Sequence, residues 1–421
     1  MRKSSLYYTL GLLTVLVAGI YSCKKVNGIN NNTVIETPYS LYFFDTSGTL
    51  FVTNDGKTVK PVVFPPDGKP SRSLITSGDN ILWAKNNLYV SNNNGQNFNL
   101  TYDSLTSISM FNVNGTNSVA VDRLSIDLNQ SMLINLPTWG NRVYATSVSQ
   151  SANNYLGLVF SDNNGNIATW NLEQSYDTNA IGQPATIGIL PVRMTSLTQL
   201  VNGYLCGLAY EPAGVITPTT LTHKIRYVRN FYKTAKTGNI GNNWREVTSN
   251  PDNVTSIWQG SLGAGTPLPP TYGVGGSSLT KDTSFFTLGH LNNRLIAIDQ
   301  KGEYGAWYSD DFGANWKKYS GLPSNTPLLC ISAPFEQVCL IGTYGQGLYI
   351  LNANTATSWQ QNNSGLGKNL IVRNIAFKQN IYKNGTVQQY IYLATNLGIY
   401  QSTDGGINWV LTISGNYTGV Y

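Results

Sequence analysis

Histidine is what this sequence has least of. His223 and His290 are the only two in 421 residues. Neither has an acidic residue or a cysteine close by in sequence, so a zinc site or a Ser-His-Asp relay has little to be built from. Each reads as an ordinary turn or strand histidine, and neither a metal nor a cofactor is expected. Charge is scarce as well, at 11% of residues. Lysines and arginines are scattered apart from pairs such as Lys24–Lys25 and Lys317–Lys318. Without a basic stripe nothing neutralises a run of phosphates, which argues against a nucleic-acid partner. A phosphate loop is missing too: Gly273-Val274-Gly275-Gly276 is not followed by Lys-Ser/Thr and does not lie between a strand and a helix. No long segment has an apolar period of 3.6 residues. What is there is 41% hydrophobic, with 41 Gly, 26 Tyr, 9 Trp and long Asn/Thr/Ser stretches. That suffices for a large core and favours strands joined by tight turns.

The amino terminus carries the most specific local signal. Met1-Arg2-Lys3 is basic, Thr9 to Ile20 (TLGLLTVLVAGI) is apolar, and Ile20-Tyr21-Ser22-Cys23 sets a small residue before a cysteine. The arrangement resembles the signal peptide and lipobox of bacterial lipoproteins. That resemblance implies cleavage before Cys23, a diacylglyceryl group on its sulfur, and acylation of the new amino terminus, which together anchor stably. The other reading is a signal anchor, but the uncharged run Ser4 to Ser22 is broken by Tyr, Thr and Gly and is short for a span. Residues 1–22 are therefore read as a signal peptide, 23–36 as a lipidated flexible tether that includes Gly28 to Thr33 (GINNNT), and 37–421 as the folded body. Loss of Arg2 and Lys3 lowers the formal charge from +6 to about +4. Lys24 and Lys25 lack the acidic residue that resembles an inner-membrane retention signal, so the expected location is the outer membrane, facing either the periplasm or the surface.

Three other cysteines remain, Cys206, Cys330 and Cys339. Cys330 and Cys339 flank the turn signal Ala333-Pro334-Phe335-Glu336 between two apolar runs. A disulfide across that hairpin is one reading. Two small buried apolar residues is the favoured one, because disulfide geometry is strict.

Internal repetition decides the fold class. Ser309-Asp310-Asp311-Phe312-Gly313-Ala314-Asn315-Trp316 and Ser402-Thr403-Asp404-Gly405-Gly406-Ile407-Asn408-Trp409 both read S-x-D-x-G-x-x-W. Weaker copies keep the spacing: Thr237-x-Asn239-x-Gly241-x-x-Trp244, Ser91-x-Asn93-x-Gly95-x-x-Phe98, Asn352-x-Asn354-x-Ala356-x-x-Trp359, and Ser161-x-Asn163-x-Gly165 without its aromatic. Thr53-Asn54-Asp55-Gly56 keeps only a fragment. Gly-x-aromatic steps precede three copies (Gly305-Ala306-Trp307, Gly347-Leu348-Tyr349, Gly398-Ile399-Tyr400), and Ser-Gly follows at Ser320-Gly321, Ser364-Gly365 and Ser414-Gly415. Each residue type has a mechanical reason. Asp or Asn accepts hydrogen bonds from the backbone of its own turn, Gly supplies positive φ, and the aromatic folds back to pack. Asp311 is thus structural, which leaves Asp310 to solvent. Alternation in Tyr390-Ile391-Tyr392-Leu393-Ala394 and in Trp409-Val410-Leu411 makes the two strands that such a turn joins.

These residues resemble the Asp-box, or BNR, repeats of sialidase-type β-propellers. The resemblance implies an all-β propeller of four-stranded blades. Copies starting at Ser309, Asn352 and Ser402 are about 43 and about 50 residues apart, a blade length, while earlier gaps hold two blades or long insertions. Seven blades are expected, with six or eight as alternatives.

Sialidases of this kind would also be expected to carry Arg-Ile-Pro, two further arginines, a Tyr–Glu nucleophile pair and an Asp acid. No Arg-Ile-Pro occurs; Ser71-Arg72-Ser73 and Asp122-Arg123-Leu124 do not match it. None of the six glutamates, Glu36, Glu173, Glu211, Glu246, Glu303 and Glu336, has a recognisable nucleophile context. No catalytic residue is therefore assigned. One segment departs from the repeat: Gly260 to Thr280 (GSLGAGTPLPPTYGVGGSSLT), either a plain connection or a binding loop in which Tyr272, with nearby Trp258, offers a stacking surface. The preferred expectation is a non-catalytic lipoprotein propeller that binds a protein or glycan partner at the cell envelope. Its alternative is a glycoside hydrolase with a divergent, exo-sialidase-like site. Photosystem assembly factors also resemble short Asp-box propellers, but nothing in these residues singles out a photosynthetic partner.

Overall fold

The structure is a computed structural model that describes residues 35–37, 40–62, 73–102, 119–121, 134–135, 143–149, 158–175, 188–189, 193–201, 204–212, 221–230, 245–246 and 286–421, less short gaps within these spans. Cys23 with its lipobox, the Asn239/Gly241/Trp244 copy, Trp258, and the Gly260 to Thr280 loop with Tyr272 lie outside the described residues. Two compact units emerge. Residues 1–39 with 378–389 form the smaller, and 40–377 with 390–421 the larger.

Alternating apolar segments of four to seven residues become antiparallel strands that pair with their sequence neighbours. Among the described residues there are five four-stranded sheets and two five-stranded ones, besides a small two-stranded pair. The 286–318 sheet shows the plan: Phe286–Leu291, Arg294–Asp299, Ala306–Ser309 and Lys317–Lys318 lie in that order. Sheets over 73–102, 193–246 and 328–361 repeat it, and those over 134–172 and 372–414 each gain a fifth strand. One sheet takes strands from distant parts of the chain. Tyr417–Val420 pairs with Leu41–Asp45, placing Val420 opposite Phe43, and Leu50–Thr53 and Lys60–Pro61 follow.

The sheets bury apolar faces on one another in sequence order. Tyr42, Phe44 and Leu50 pack with Leu74, Ile81 and Trp83 of the next sheet. Leu82, Leu88 and Val90 pack with Val143, Ala145 and Trp170. Ile296, Ile298 and Tyr308 pack with Leu328, Ile341 and Trp359, and Leu340, Leu348 and Ile350 with Val372, Leu393 and Trp409. Successive four-stranded antiparallel sheets, with one sheet closed by strands from both parts of the chain, make the larger unit a β-propeller.

The turn between third and fourth strands is where the repeated motif sits, and its first residue proves central. Ser91, Ser161, Ser309 and Ser402 each accept the backbone N–H of the motif glycine, at 2.9, 3.0, 2.7 and 2.9 Å. The same hydroxyl donates to Oδ1 of Asn93, Asp311 and Asp404 at 2.9, 2.7 and 2.8 Å. That oxygen then accepts Asn97 N–H at 3.0 Å in one turn, and Ile407 N–H and Asn408 N–H at 3.1 and 3.0 Å in another. Glycines 56, 95, 165, 313 and 406 have φ between 70° and 94°, a region costly for any residue with a Cβ. The fragment at Thr53 works the same way: Thr53 Oγ1 donates to Asp55, whose Oδ1 accepts Lys57 N–H at 2.8 Å and Thr58 N–H at 2.6 Å.

The Ser161 copy does have its aromatic. Ser161 lies directly opposite Trp170 in the sheet, and the pairs Val90–Asn99 and Gln401–Val410 place Phe98 opposite Ser91 and Trp409 opposite Ser402 in the same register. The loop at Ser161 is longer, turning again at Ala168 with φ 62°, so the ring falls outside the fixed spacing. Phe98, Trp170, Trp316, Trp359 and Trp409 are all buried. Another departure from expectation is Asp310, which does not simply face solvent: Arg294 clasps both its oxygens, at 2.7 and 3.0 Å.

These turns also dock on the preceding sheet. Tyr42 Oη donates to the Asn94 carbonyl at 3.2 Å, Asn80 Nδ2 to that of Asn164 at 3.0 Å, Arg294 to that of Ala356 at 2.9 Å, and Asn362 to that of Gly406. The Ser-Gly step has a matching role. Ser320 C=O accepts Trp359 N–H at 2.9 Å and Ser364 C=O accepts Trp409 N–H at 3.0 Å. A Cβ on Gly321 or Gly365 would overlap the carbonyl oxygen of the same tryptophan.

Cys206, Cys330 and Cys339 are free and buried. Cys330 pairs with Gly342 and Cys339 with Leu351, so the two are not opposite each other, and they enter different apolar clusters. Burial pushes the Cys330 thiol up to about 12, so it packs as a small apolar residue.

The turn carboxylates predict a response to acid. Burial pushes the Asp404 pKa up, but hydrogen bonds from Asn408, Ser402 and Ile407 outweigh it and hold the group below the usual carboxylate range. The Thr58 hydroxyl and N–H, with Lys57 N–H, hold Asp55 lower still. A depressed carboxyl pKa contributes stability above the unfolded value near 3.9, and that contribution is lost as pH falls through the folded value. Unfolding midpoints are therefore expected to drop below about pH 4. Asp404→Ala should cost about 1 to 2 kcal/mol at neutral pH, kept small by solvent exposure. Asp404→Asn, which keeps an accepting oxygen as Asn93 does, should cost less than about 1 kcal/mol and flatten part of the acid limb. An Asn variant with an unchanged acid limb would remove this account of Asp404.

Candidate functional site

Antiparallel order gives each sheet two ends. One carries the turns between first and second and between third and fourth strands, including the repeat turns. The other carries the turns between second and third strands and the connections from one sheet to the next. The repeat turns spend their polar groups internally and on the preceding sheet, so they leave little for a ligand. The second end differs.

There, three loops converge beside Ile371. Tyr344 bridges to Ile371 and its N–H bonds the Pro327 carbonyl at 3.0 Å. Ile371 N–H donates to Asn396 Oδ1 at 2.9 Å, and Asn396 N–H returns to the Ile371 carbonyl at 3.3 Å. This backbone web holds out two side chains that a soluble domain would ordinarily tuck away: Tyr344 is 59% exposed and Leu397 42%. Gly345 follows with φ 90° and open space around it, so the loop does not screen Tyr344.

Arg373 adds charge to this surface. It is the second residue of the strand Val372–Tyr382, and its Nη1 donates to Asn416 Oδ1 and, at 2.9 Å, to the Tyr417 carbonyl. Burial pulls its pKa down, and Tyr344 lies within electrostatic reach of it. No carboxylate partners Arg373 among the described residues. Asp45, which acts on neighbouring Tyr417, is engaged in its own turn by Ser47 N–H, Ser47 Oγ and Thr49 N–H at 2.9, 2.6 and 2.9 Å. Aromatic face, apolar side chain and unneutralised guanidinium together suit recognition rather than proton transfer.

At the opposite end the fold assembles a group with no trace in local sequence. His290 is the penultimate residue of the strand Phe286–Leu291, with Nδ1 at 2.7 Å from Thr198 Oγ1 and Nε2 at 2.7 Å from Glu336 Oε1. Glu336 Oε2 accepts Asn292 N–H at 2.6 Å. The side chains of His290 and Glu336 are 22% and 32% exposed, whereas Thr198 is buried. Phe335 and Glu336 both hold φ at 55°, a strained pair that fixes the carboxylate toward His290. The hydroxyl–imidazole–carboxylate order resembles a catalytic relay, but the hydroxyl is enclosed and both carboxylate oxygens are engaged. The group joins three successive sheets and is best understood as a polar brace. His290 therefore has the acidic companion that its sequence neighbours lack. Among the described residues no cluster of three or more His, Cys, Asp or Glu is placed to hold a metal ion.

No protein-family model matches the chain, and no curated protein does. Solved structures do. YCF48 bound to D1 peptide aligns over 83% of this chain and 90% of its own, with 13% identity and a TM-score of 0.43. The GH74 enzyme of Niastella koreensis aligns over 89% of this chain and 63% of its own, with 11% identity and a TM-score of 0.30. The dihydro-heme d1 dehydrogenase NirN in complex with DHE aligns over 93% and 77%, with 10% identity and a TM-score of 0.40. The likeness in each case is of the β-propeller fold alone.

Proposed function

We propose that the chain is a cell-envelope lipoprotein, anchored through Cys23, whose Asp-box propeller is non-catalytic and binds a protein or glycan partner. Among the described residues, one blade for each sheet of four or more strands supports a seven-blade reading. The observation that carries the binding role is the surface of Tyr344, Leu397 and Arg373, where an exposed ring and an unneutralised guanidinium are held by a firm backbone web. Binding loops on rigid scaffolds take this form. Hydrolysis of a glycoside would need two carboxyl groups roughly 5 to 10 Å apart across a sugar, and the surface described presents none.

The test is capture from the native envelope, with bound proteins and glycans identified, by wild type and by Tyr344→Ala. Tyr344→Ala removes an exposed ring, so its unfolding midpoint should match wild type while its captured partner is lost. Equal capture by both proteins would move the binding site elsewhere. Purified protein is also expected to release no more aryl aglycone from sialosides than a heat-denatured control, and turnover abolished by one Asp, Glu or Tyr substitution would restore the hydrolase reading. Cys23→Ser should shift the protein from the membrane to the soluble fraction; continued membrane association would mean that the apolar segment before it anchors the chain.

A further inference from the structure

The smaller unit contains a β-hairpin end with a foreign strand on its edge. Strands Val372–Tyr382 and Val387–Thr395 lead into a turn between them, and Ile35–Thr37 pairs with the first of them. Register gives this pairing a direction. Thr37 lies opposite Ile381 and Ile35 opposite Tyr382, so Ile35, the first residue of the strand, is its end nearest the turn. Eleven residues lie between Cys23 and Ile35, a reach of at most about 43 Å when fully extended.

The turn itself is firm. Tyr382 N–H bonds the Thr386 carbonyl at 2.9 Å, Gly385 N–H bonds that of Tyr382 at 2.8 Å, and Thr386 N–H bonds Asn384 Oδ1 at 3.0 Å. Lys383 through Val387 are exposed, Val387 at 48%, and Tyr382 is half-buried. Residues 24–39 and 378–389 hold four lysines and one glutamate. Burial pulls the Lys378 ammonium down to about 8, which leaves it mostly charged at neutral pH.

We propose that the Tyr382–Val387 turn is a second membrane contact, a foot that rests in the anionic headgroup layer to which the lipid on Cys23 attaches; this depends on the lipoprotein reading above. Tyrosine and an aliphatic side chain beside lysines match the chemistry of that layer, where amphipathic rings sit at headgroup level and lysines are drawn to anionic lipid. A short tether that joins the strand at its end nearest the turn holds the turn at high effective concentration near the bilayer, so a weak contact is well populated. The chain then meets the membrane at two points, the lipid and the turn.

The experiment uses lipidated protein carrying Asn384→Cys, labelled with a fluorophore and reconstituted in phosphatidylethanolamine–phosphatidylglycerol vesicles with a headgroup-attached quencher. Cys206, Cys330 and Cys339 are buried and Cys23 is acylated, so the label goes to residue 384. Quenching at 384 is expected to exceed that at Thr403→Cys, on an exposed repeat turn, by about threefold, and Lys383→Glu is expected to reduce it. Equal quenching at the two positions overturns the foot. Mass analysis of the amino-terminal peptide reports lipidation separately. Protein that is lipidated yet unquenched at 384 refutes the foot and leaves the anchor standing, whereas protein without lipid refutes the anchor and the foot with it.

Discussion

Trp409→Ala should lower the free energy of unfolding by about 3 to 5 kcal/mol, the range for emptying a site filled by a fully enclosed aromatic side chain. Trp359→Ala and Trp316→Ala should fall in the same range. Trp359 and Trp409 are 2% and 3% exposed and sit among side chains of the sheet before their own. Each therefore loses contacts between blades. Phenylalanine separates ring from hydrogen bond. Trp316 Nε1 donates to the Gly313 carbonyl at 2.8 Å, whereas Trp409 Nε1 has no hydrogen-bond partner among the described residues. Trp316→Phe should therefore cost about 1 kcal/mol more than Trp409→Phe, beyond the area each loses. Denaturant midpoints of the alanine variants that stay at the wild-type value would overturn this packing account.

Gly365→Ala and Gly321→Ala are expected to cost about 3 kcal/mol or more, large for the addition of one methyl group. Two effects add. Both glycines have φ 82°, a conformation that costs a residue with a Cβ roughly 1 to 2 kcal/mol. The new methyl would also meet the backbone of Trp409 or Trp359 on the next sheet, and the blades would have to separate to admit it. Gly345→Ala is the control. It shares a positive φ of 90° but faces open space, so it should cost only the backbone strain. Equal losses at all three glycines would mean that the Ser-Gly step is a turn preference and not a slot for its neighbour.

The repeat turns were legible in sequence because their chemistry is local. Ser402, Asp404, Gly406 and Trp409 find one another within eight residues, so spacing alone conveys the turn. Trp170 escaped this spacing because a longer loop delivers it to the same register. Ser320-Gly321 and Ser364-Gly365 were visible as a recurrence without a reason, since the reason lies in the next blade, at Trp359 and Trp409. The Thr198–His290–Glu336 group was not legible at all. Its hydrogen bonds cross 92 and 46 residues of sequence, and no motif couples positions so far apart. Tyr344 and Arg373 were equally silent, because whether a ring stays exposed depends on which loops converge around it.

The strand that completes the first sheet has a consequence for how the protein is made. Thr418 Oγ1 bonds the Asp45 carbonyl across 373 positions of sequence, so Tyr417–Val420 is synthesised long after the strand with which it pairs. Until it arrives, Leu41–Asp45 presents an open edge ready to pair with another chain. Local hairpins form early, but closure must wait for the rarest of contacts in a long polymer, and such contacts set the pace of folding. The interval between the synthesis of these two strands is thus a window for misassembly, during which that edge stands open.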